Sequence, residues 1–281
     1  MKSAKRPVVL AGPCMAESLE IMLEVADRLL YLSQELEFDY YFKASFDKAN
    51  RSSINSYRGP GLEQVSKWFE TLKNRFDCRI ITDIHEPSQA REASHFCDAL
   101  QIPAFLCRQT DLIVAAAKTG LVVNIKKGQF MAPGAMQHIV QKAISTCKHH
   151  DLPTTNCFLT ERGSSFGYGD LLVDMRSIPV MAKHGTPVLF DCTHSTQAPP
   201  TSAQSHISNA HRNFTPILAR AAVATGYLSG FFLETHPKPA EAKSDAAAQL
   251  DLDQCETLLR QLIPLWRQAQ EWQVHDKIFT H

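Results

Sequence analysis

The chain has 281 residues, 44% of them apolar and 21% charged, with a formal net charge of zero. That length buries a large core and matches the size of one α/β barrel, and so ordinary a composition excludes a disordered chain. Balanced charge excludes an overall attraction to nucleic acid or anionic membrane, so each basic side chain has to be judged by its position.

The first six residues are basic, but only a few apolar residues follow before Gly12-Pro13, which is too short for a secretion signal. No apolar run approaches the roughly 20 residues that span a bilayer, so the cytoplasm is the expected compartment. In chain order, apolar or β-branched runs predict strands at 7–11, 40–45, 79–83, 99–102, 122–126, 157–161, 187–191 and 230–234. The segments between them are predicted helical. Residues 19–32 place Ile21, Met22, Val25, Leu29 and Leu30 at helical spacing, and 112–118, 137–147 and 252–272 are similar. Strand alternating with helix implies parallel pairing through crossover helices. Eight such units without a linker predict an α/β (β/α)8 TIM barrel, with residues 1–281 forming one catalytic domain. An open doubly wound sheet is the alternative. The polar, Pro/Ser-rich stretch 195–208 reads as a mobile loop.

Eight cysteines are present and none forms a CxxC pair. In a reducing compartment they are expected to be small buried hydrophobes, with Cys14 as the exception.

Chemistry concentrates where the strands end. In order, Cys14, Lys43, Asp83, Gln101, Lys126, Arg162, His194 and Glu234 lie at or just beyond the eight strand ends. A parallel barrel puts all these ends on one face, where the active site forms. Cys14, His194 and Glu234, with Asp245 a little further on, offer a thiolate, an imidazole and two carboxylates to a divalent ion such as zinc, iron(II) or manganese. Taken singly, each also reads as a buried turn thiol, a hydrogen-bonded loop histidine or a capping carboxylate. Lys43, Lys48, Arg51, Arg108, Lys126 and Arg162 form a cationic set suited to phosphates and carboxylates; the alternative is a solvated basic rim. For Lys127 the rim reading is preferred, because strand alternation turns it away from Lys126.

The stretch 42–53, FKASFDKANRSS, closely resembles the sugar-phosphate loop of the octulosonate-phosphate synthases. Gly12-Pro13-Cys14, TDIHE at 82–86, QIPAFLCRQTD at 101–111, NIKKGQF at 124–130, ERG at 161–163, FGY at 166–168, FDCTH at 190–194 and LETHP at 233–237 extend the resemblance over nearly the whole chain.

The resemblance implies condensation of phosphoenolpyruvate with D-arabinose 5-phosphate and water, giving 3-deoxy-D-manno-octulosonate 8-phosphate and phosphate for lipopolysaccharide assembly. It implies that Lys43, Lys48, Lys126 and Arg162 hold phosphoenolpyruvate, with Gln101 nearby and the backbone of Ala104 and Phe105 cradling its phosphate. Asn50, Arg51 and Ser52 would bind the sugar phosphate, with Ser45 in the same loop. Arg108 would come from a neighbouring subunit of a homotetramer. Asp83 would lie near the sugar and the metal shell, and His194, Lys48, Asp83 and Lys126 would be the catalytic groups. The family has branches with and without metal. The non-metal branch carries Asn where this chain has Cys14, which assigns the chain to the metal branch. One departure is that Asn209-Ala210-His211 precede Arg212 where relatives often have Gly-Gly, which leaves the role of Arg212 open. The nearest rival, a sister synthase using erythrose 4-phosphate, characteristically has Lys-Pro-Arg-Thr where this chain has Lys48-Ala49-Asn50-Arg51-Ser52-Ser53. A catalytically inactive, anion-binding barrel is a second rival.

Overall fold

A computed structural model describes residues 6–152, 157–198 and 209–275. Eight strands, β1 (Val8–Gly12), β2 (Asp39–Lys43), β3 (Arg79–Asp83), β4 (Ala99–Ile102), β5 (Val122–Lys126), β6 (Cys157–Glu161), β7 (Val188–Asp191) and β8 (Gly230–Glu234), pair in parallel and close into a barrel of order β1-β8-β7-β6-β5-β4-β3-β2. The closed (β/α)8 architecture is the expected one. Five strands keep their predicted bounds. The second ends at Lys43 rather than at 45, because Ser45 pairs only as an isolated bridge with Met15.

The helices follow the strands: α1 (Leu19–Leu36), α2 (Leu62–Phe76), α3 (Pro87–Ala93), α4 (Thr110–Lys118), α5 (Met136–His149), α6 (Ser177–Ala182), α7 (Thr215–Ala224) and α8 (Leu252–His275). In α1 the Ser18 side chain caps the start by accepting from the Ile21 N–H at 3.3 Å, and Met22, Val25, Ala26, Leu29 and Leu32 face the barrel. All four helices outlined from periodicity are present, with ends extended by a few residues. No helix among the described residues is long and apolar enough to cross a membrane.

Strand alternation splits the strand side chains between two cores. The outward set, including Val9, Phe42, Ile80, Leu100, Val123, Leu159, Phe190 and Phe231, packs under the helices. The inward set is apolar in its middle layer, where Leu10, Tyr41, Ile81, Ala99, Leu189 and Phe232 meet. One residue pair further along the strands, the same inward positions carry Lys43, Asp83, Gln101, Lys126, Asp191 and Glu234, all buried. The barrel is thus plugged below by hydrocarbon and lined above by charge. At Gly12 a Cβ would sit 2.1 Å from the Lys43 carbonyl oxygen, so only glycine lets β1 approach β2 beside this charged layer.

Two short antiparallel pairs follow the ends of β6 and β7. Ser164–Ser165 pairs antiparallel with Leu171–Leu172, and Gln197–Ala198 pairs with Asn209–Ala210. Of the stretch 195–208, residues 199–208 lie outside the described residues. None of the eight cysteines is in a disulfide and all are buried, which is the expected state for all but Cys14.

Candidate active site

Four loop and strand ends bring the metal-capable side chains together. Cys14 follows β1 and is fully buried; its Sγ lies 3.1 Å from Asp245 Oδ2 and 3.2 Å from Ser244 Oγ. Glu234 ends β8. One potential ligand atom each from Cys14, Glu234 and Asp245 lies within 4.8 Å of the other two. His194, in the turn after β7, brings Nε2 to 3.4 Å from Glu234 Oε2 and 3.8 Å from Asp245 Oδ2. Its other ring nitrogen, Nδ1, lies 2.8 Å from Asp191 Oδ2. This carboxylate behind an imidazole is the usual way to orient a metal-binding histidine.

Whether these residues suit a cation is decided by Glu234. Its carboxylate is 1% exposed, and neither oxygen has a hydrogen-bond partner. A buried carboxylate without donors is strongly disfavoured unless a cation compensates it. Lys43 Nζ, 3.8 Å from Oε1, and His194 Nε2, 3.4 Å from Oε2, compensate it without a hydrogen bond to either oxygen. The Cys14 thiol agrees: burial, then the Glu234 and Asp245 carboxylates, push its pKa well above the ordinary value, while Lys48 and Lys43 oppose them. A divalent ion among these groups would favour the thiolate instead. The donor set of thiol, imidazole and two carboxylates therefore fits such an ion.

The cations surround this cluster. Lys43 is buried, donates to Ser45 Oγ at 2.8 Å and lies 3.4 Å from Asp83 Oδ1. Lys48 donates to the same hydroxyl at 2.9 Å. Burial opposes the charge on Lys48, but Cys14, Glu234, Asp83 and Asp245 outweigh it and raise its pKa above the ordinary value. Asp83 accepts from Ser45 and lies 3.0 Å from His85 Nε2. Burial works against its ionised form, yet Lys43 and His85 hold its pKa well below the usual carboxylate range.

Lys126 donates to Asp191 at 2.6 Å and stands 3.3 Å from His194 Nδ1, with its ammonium 3.4 Å from the centre of the Phe232 ring. Burial lowers its pKa, and Asp191 opposes the shift. Arg162 is buried, and burial lowers its pKa as well. Its Nη2 donates to Gln197, and its Nη1 is buried without a partner. Gln101 accepts from Asn124 at 3.0 Å, and Asn124 accepts from Thr160 at 2.6 Å, which fixes the amide of Gln101 on the barrel floor.

The remaining expected site residues lie at the rim. Asn50 and Ser52 are exposed. Arg51 rests its guanidinium on two backbone carbonyls, Tyr57 at 3.1 Å and Lys243 at 2.9 Å. Ala104 is buried in the turn Ala104–Leu106 after β4, while Phe105 is 58% exposed. Arg108 is exposed, and no hydrogen bond from its guanidinium occurs among the described residues.

Lys127 is not a solvated rim residue. It does point away from Lys126, but it is fully buried behind the strands, 3.4 Å from Glu161 Oε1 and bonded to the Gly163 carbonyl at 3.1 Å and to Ser164 Oγ at 3.0 Å. In a barrel, facing away from the lumen means facing the helix layer rather than water.

Three residues go beyond the sequence reading. Asp191 is fully buried and bridges Lys126 and His194. Burial alone raises its pKa, but His194 and Lys126 hold it well below the carboxylate range. A charged residue at an inward position of an otherwise apolar strand is the signal that marks it. Gln249 accepts from the Cys14 N–H at 3.2 Å and donates to the Ser244 carbonyl at 2.8 Å, while Ser244 also faces the thiol. Those two lie beyond the last strand, where periodicity carries no information.

Comparison with known proteins shows the family. The family model described as the DAHP synthetase I family matches residues 3–271. The 2-dehydro-3-deoxyphosphooctonate aldolase of Helicobacter pylori (strain P12) is 49% identical over 267 residues, covering 92% of this chain and 95% of the relative. Proteins of that name from Helicobacter hepaticus and from Campylobacter jejuni (strain 81-176) are 50% and 47% identical, covering 91% and 93% of this chain and 95% and 97% of their own lengths. With a family model matched from end to end of the barrel, and relatives near half identical throughout, the chain belongs to the DAHP synthetase I family.

Proposed function

We propose that this chain condenses phosphoenolpyruvate with D-arabinose 5-phosphate and water, giving 3-deoxy-D-manno-octulosonate 8-phosphate and phosphate, and that it does so with a divalent ion held by Cys14, His194, Glu234 and Asp245. The condensation accords with the name carried by relatives near half identical. The erythrose 4-phosphate reading finds no support among them. The observation that carries the metal reading is the buried Glu234 carboxylate, both oxygens without hydrogen-bond partners, beside Cys14 and Asp245.

In this reading the methylene carbon of phosphoenolpyruvate attacks the sugar aldehyde, water adds at C2, and phosphate leaves by C–O cleavage. Both substrates are polyanions. Lys43, Lys48, Lys126 and Arg162, with Gln101 and the Ala104–Phe105 backbone, hold phosphoenolpyruvate against that repulsion. Ser45, Asn50, Arg51 and Ser52 hold the sugar phosphate. When bound, the ion supplies Lewis acidity to the aldehyde oxygen or to water, and zinc, iron(II) and manganese all suit the donors. Lys126 and Lys48 stabilise charge developing on oxygen, Asp83 keeps Ser45 and Lys43 aligned, and Asp191 orients His194 toward the ion.

The same reading takes the chain as one cytoplasmic catalytic domain working in lipopolysaccharide assembly. It also takes it as a homotetramer. Phe105, Phe130 and Phe166 are exposed on the loops after the neighbouring strands β4, β5 and β6, and Phe105 lies three residues before the exposed Arg108, which supports cover by another copy.

Chelation tests the metal reading. Turnover with arabinose 5-phosphate falls to background on stripping with a chelator and returns on addition of zinc or manganese. Full turnover in metal-free protein contradicts it.

A further inference from the structure

The loop carrying Asp245 has an unfavourable backbone. Asp245 has φ 46°, a left-handed conformation that is uncommon outside glycine, though milder for aspartate than for most residues, and its surroundings help to hold it. Part of that hold is local. The N–H groups of Ala248 and Gln249 both donate to the Asp245 carbonyl, at 2.9 and 3.1 Å. The rest comes from outside the loop. Glu17 accepts from the Lys243 N–H at 2.8 Å, and Arg51 donates to the Lys243 carbonyl at 2.9 Å. Arg212 supplies two bonds from one guanidinium, Nη2 to the Ala246 carbonyl at 3.0 Å and Nε to the Ala247 carbonyl at 3.1 Å. A planar fork on two successive carbonyls fixes the loop's orientation as well as its position.

Arg212 itself is anchored to the segment that carries His194. It follows Asn209–Ala210, which pairs with Gln197–Ala198, and the His211 N–H donates to the Thr196 carbonyl at 2.9 Å. That segment begins at His194, and its Gln197 accepts from Arg162. Arg212 is thus the joint between the loop bearing His194 and the loop bearing Asp245.

We infer that Arg212 is a positioning residue for the metal centre: its two bonds to Ala246 and Ala247 hold Asp245 against Cys14 and His194. This rests on the metal reading above. If Arg212 merely satisfied rim carbonyls, removing it would affect stability and leave metal affinity alone.

The test is Co²⁺ affinity, measured by calorimetric titration of the full chain, together with the thermal midpoint. The variants are Arg212→Met, Arg212→Lys, Asp245→Ala and the double variant Arg212→Met/Asp245→Ala. Methionine keeps the side-chain bulk, so the fold is retained. Arg212→Met weakens Co²⁺ binding about 10- to 100-fold, the usual effect of losing a group that orients a ligand. Arg212→Lys falls between Met and wild type, since one ammonium reaches one carbonyl. In the Asp245→Ala background the Arg212 change adds less than about threefold, because a residue acting through Asp245 has nothing left to position. Wild-type affinity in Arg212→Met, or losses that multiply in the double variant, overturn this inference alone. A wild-type chain that binds no Co²⁺ overturns the metal reading, and this inference with it.

Discussion

Replacing Arg162 with alanine lowers kcat/KM for phosphoenolpyruvate about a thousandfold, on the order of the 2–5 kcal/mol typical of removing one partner from a buried charge pair. The size follows from where the guanidinium lies. It is buried, its Nη2 is bound to Gln197, and its Nη1 is buried without a partner, so the proposed anion would meet a donor that the protein leaves unsatisfied. An unpaired buried donor on a charged group is costly, and a bound phosphate or carboxylate removes that cost as it gains two parallel bonds. Arg162→Lys recovers only part, because an ammonium lacks the fork. Lys126→Met has an effect at least as large but is harder to interpret, since it also strips Asp191 of a bond at 2.6 Å and so loosens His194. The second anion site responds differently. Arg51→Ala raises KM for the sugar phosphate far more than KM for phosphoenolpyruvate. Steady-state kinetics with each substrate varied in turn checks both variants. An unchanged kcat/KM for phosphoenolpyruvate in Arg162→Ala contradicts its assignment, and the reverse pattern in Arg51→Ala means the two anion sites are exchanged.

Lys127→Met has the largest effect on stability, about 3–5 kcal/mol, because it removes one partner of a buried ion pair and leaves only the more distant charge of Arg162 near the Glu161 carboxylate. The pair lies wholly behind the barrel wall: Lys127 is 0% and Glu161 1% exposed. Glu161 accepts from the Gly163 N–H at 2.7 Å through Oε1, while its Oε2 has no hydrogen-bond partner, so neighbouring polar groups offer little substitute for the ammonium. For a chain of this length such a loss lowers the thermal midpoint by roughly 10 °C. The double variant Lys127→Met/Glu161→Gln recovers most of it, because the amide oxygen still serves Gly163 and no charge remains to be compensated. Full recovery is not expected. Lys127 also bonds the Gly163 carbonyl and Ser164 Oγ, and these lose a donor. Scanning calorimetry on the three proteins decides the matter; a double variant no more stable than Lys127→Met contradicts the pairing. Gly163 and Ser164 directly follow Arg162, so the pair also stiffens the strand end that presents it.

The barrel was legible because each strand is a short apolar run with a charged or polar residue at its end; closure itself, against an open sheet, is what the strand pairing adds. The metal-capable residues were legible for the same reason, except that Asp245 lies after the last strand and rested on resemblance as much as on pattern. Period-two alternation correctly turned Lys127 from Lys126, but alternation gives direction and not environment, and the helices make the outward side as dry as the lumen. Asp191 ends an apolar strand three residues before His194, and its role depends on a contact with Lys126 across the barrel that the local pattern does not encode. Gln249 and Ser244 make their contacts across more than 200 residues of chain, a separation that no local pattern encodes.

The central claim is that Cys14, His194, Glu234 and Asp245 form one divalent-ion site beside the cations that hold the two substrates. Co²⁺ titration followed by absorption spectroscopy tests it most directly, because a cobalt–thiolate bond has a charge-transfer band that nitrogen and oxygen ligands do not produce. One equivalent of Co²⁺ gives that band in the wild-type chain, and Cys14→Asn abolishes it and weakens binding. Stoichiometric Co²⁺ binding without the band, or the same band in Cys14→Asn, contradicts the account.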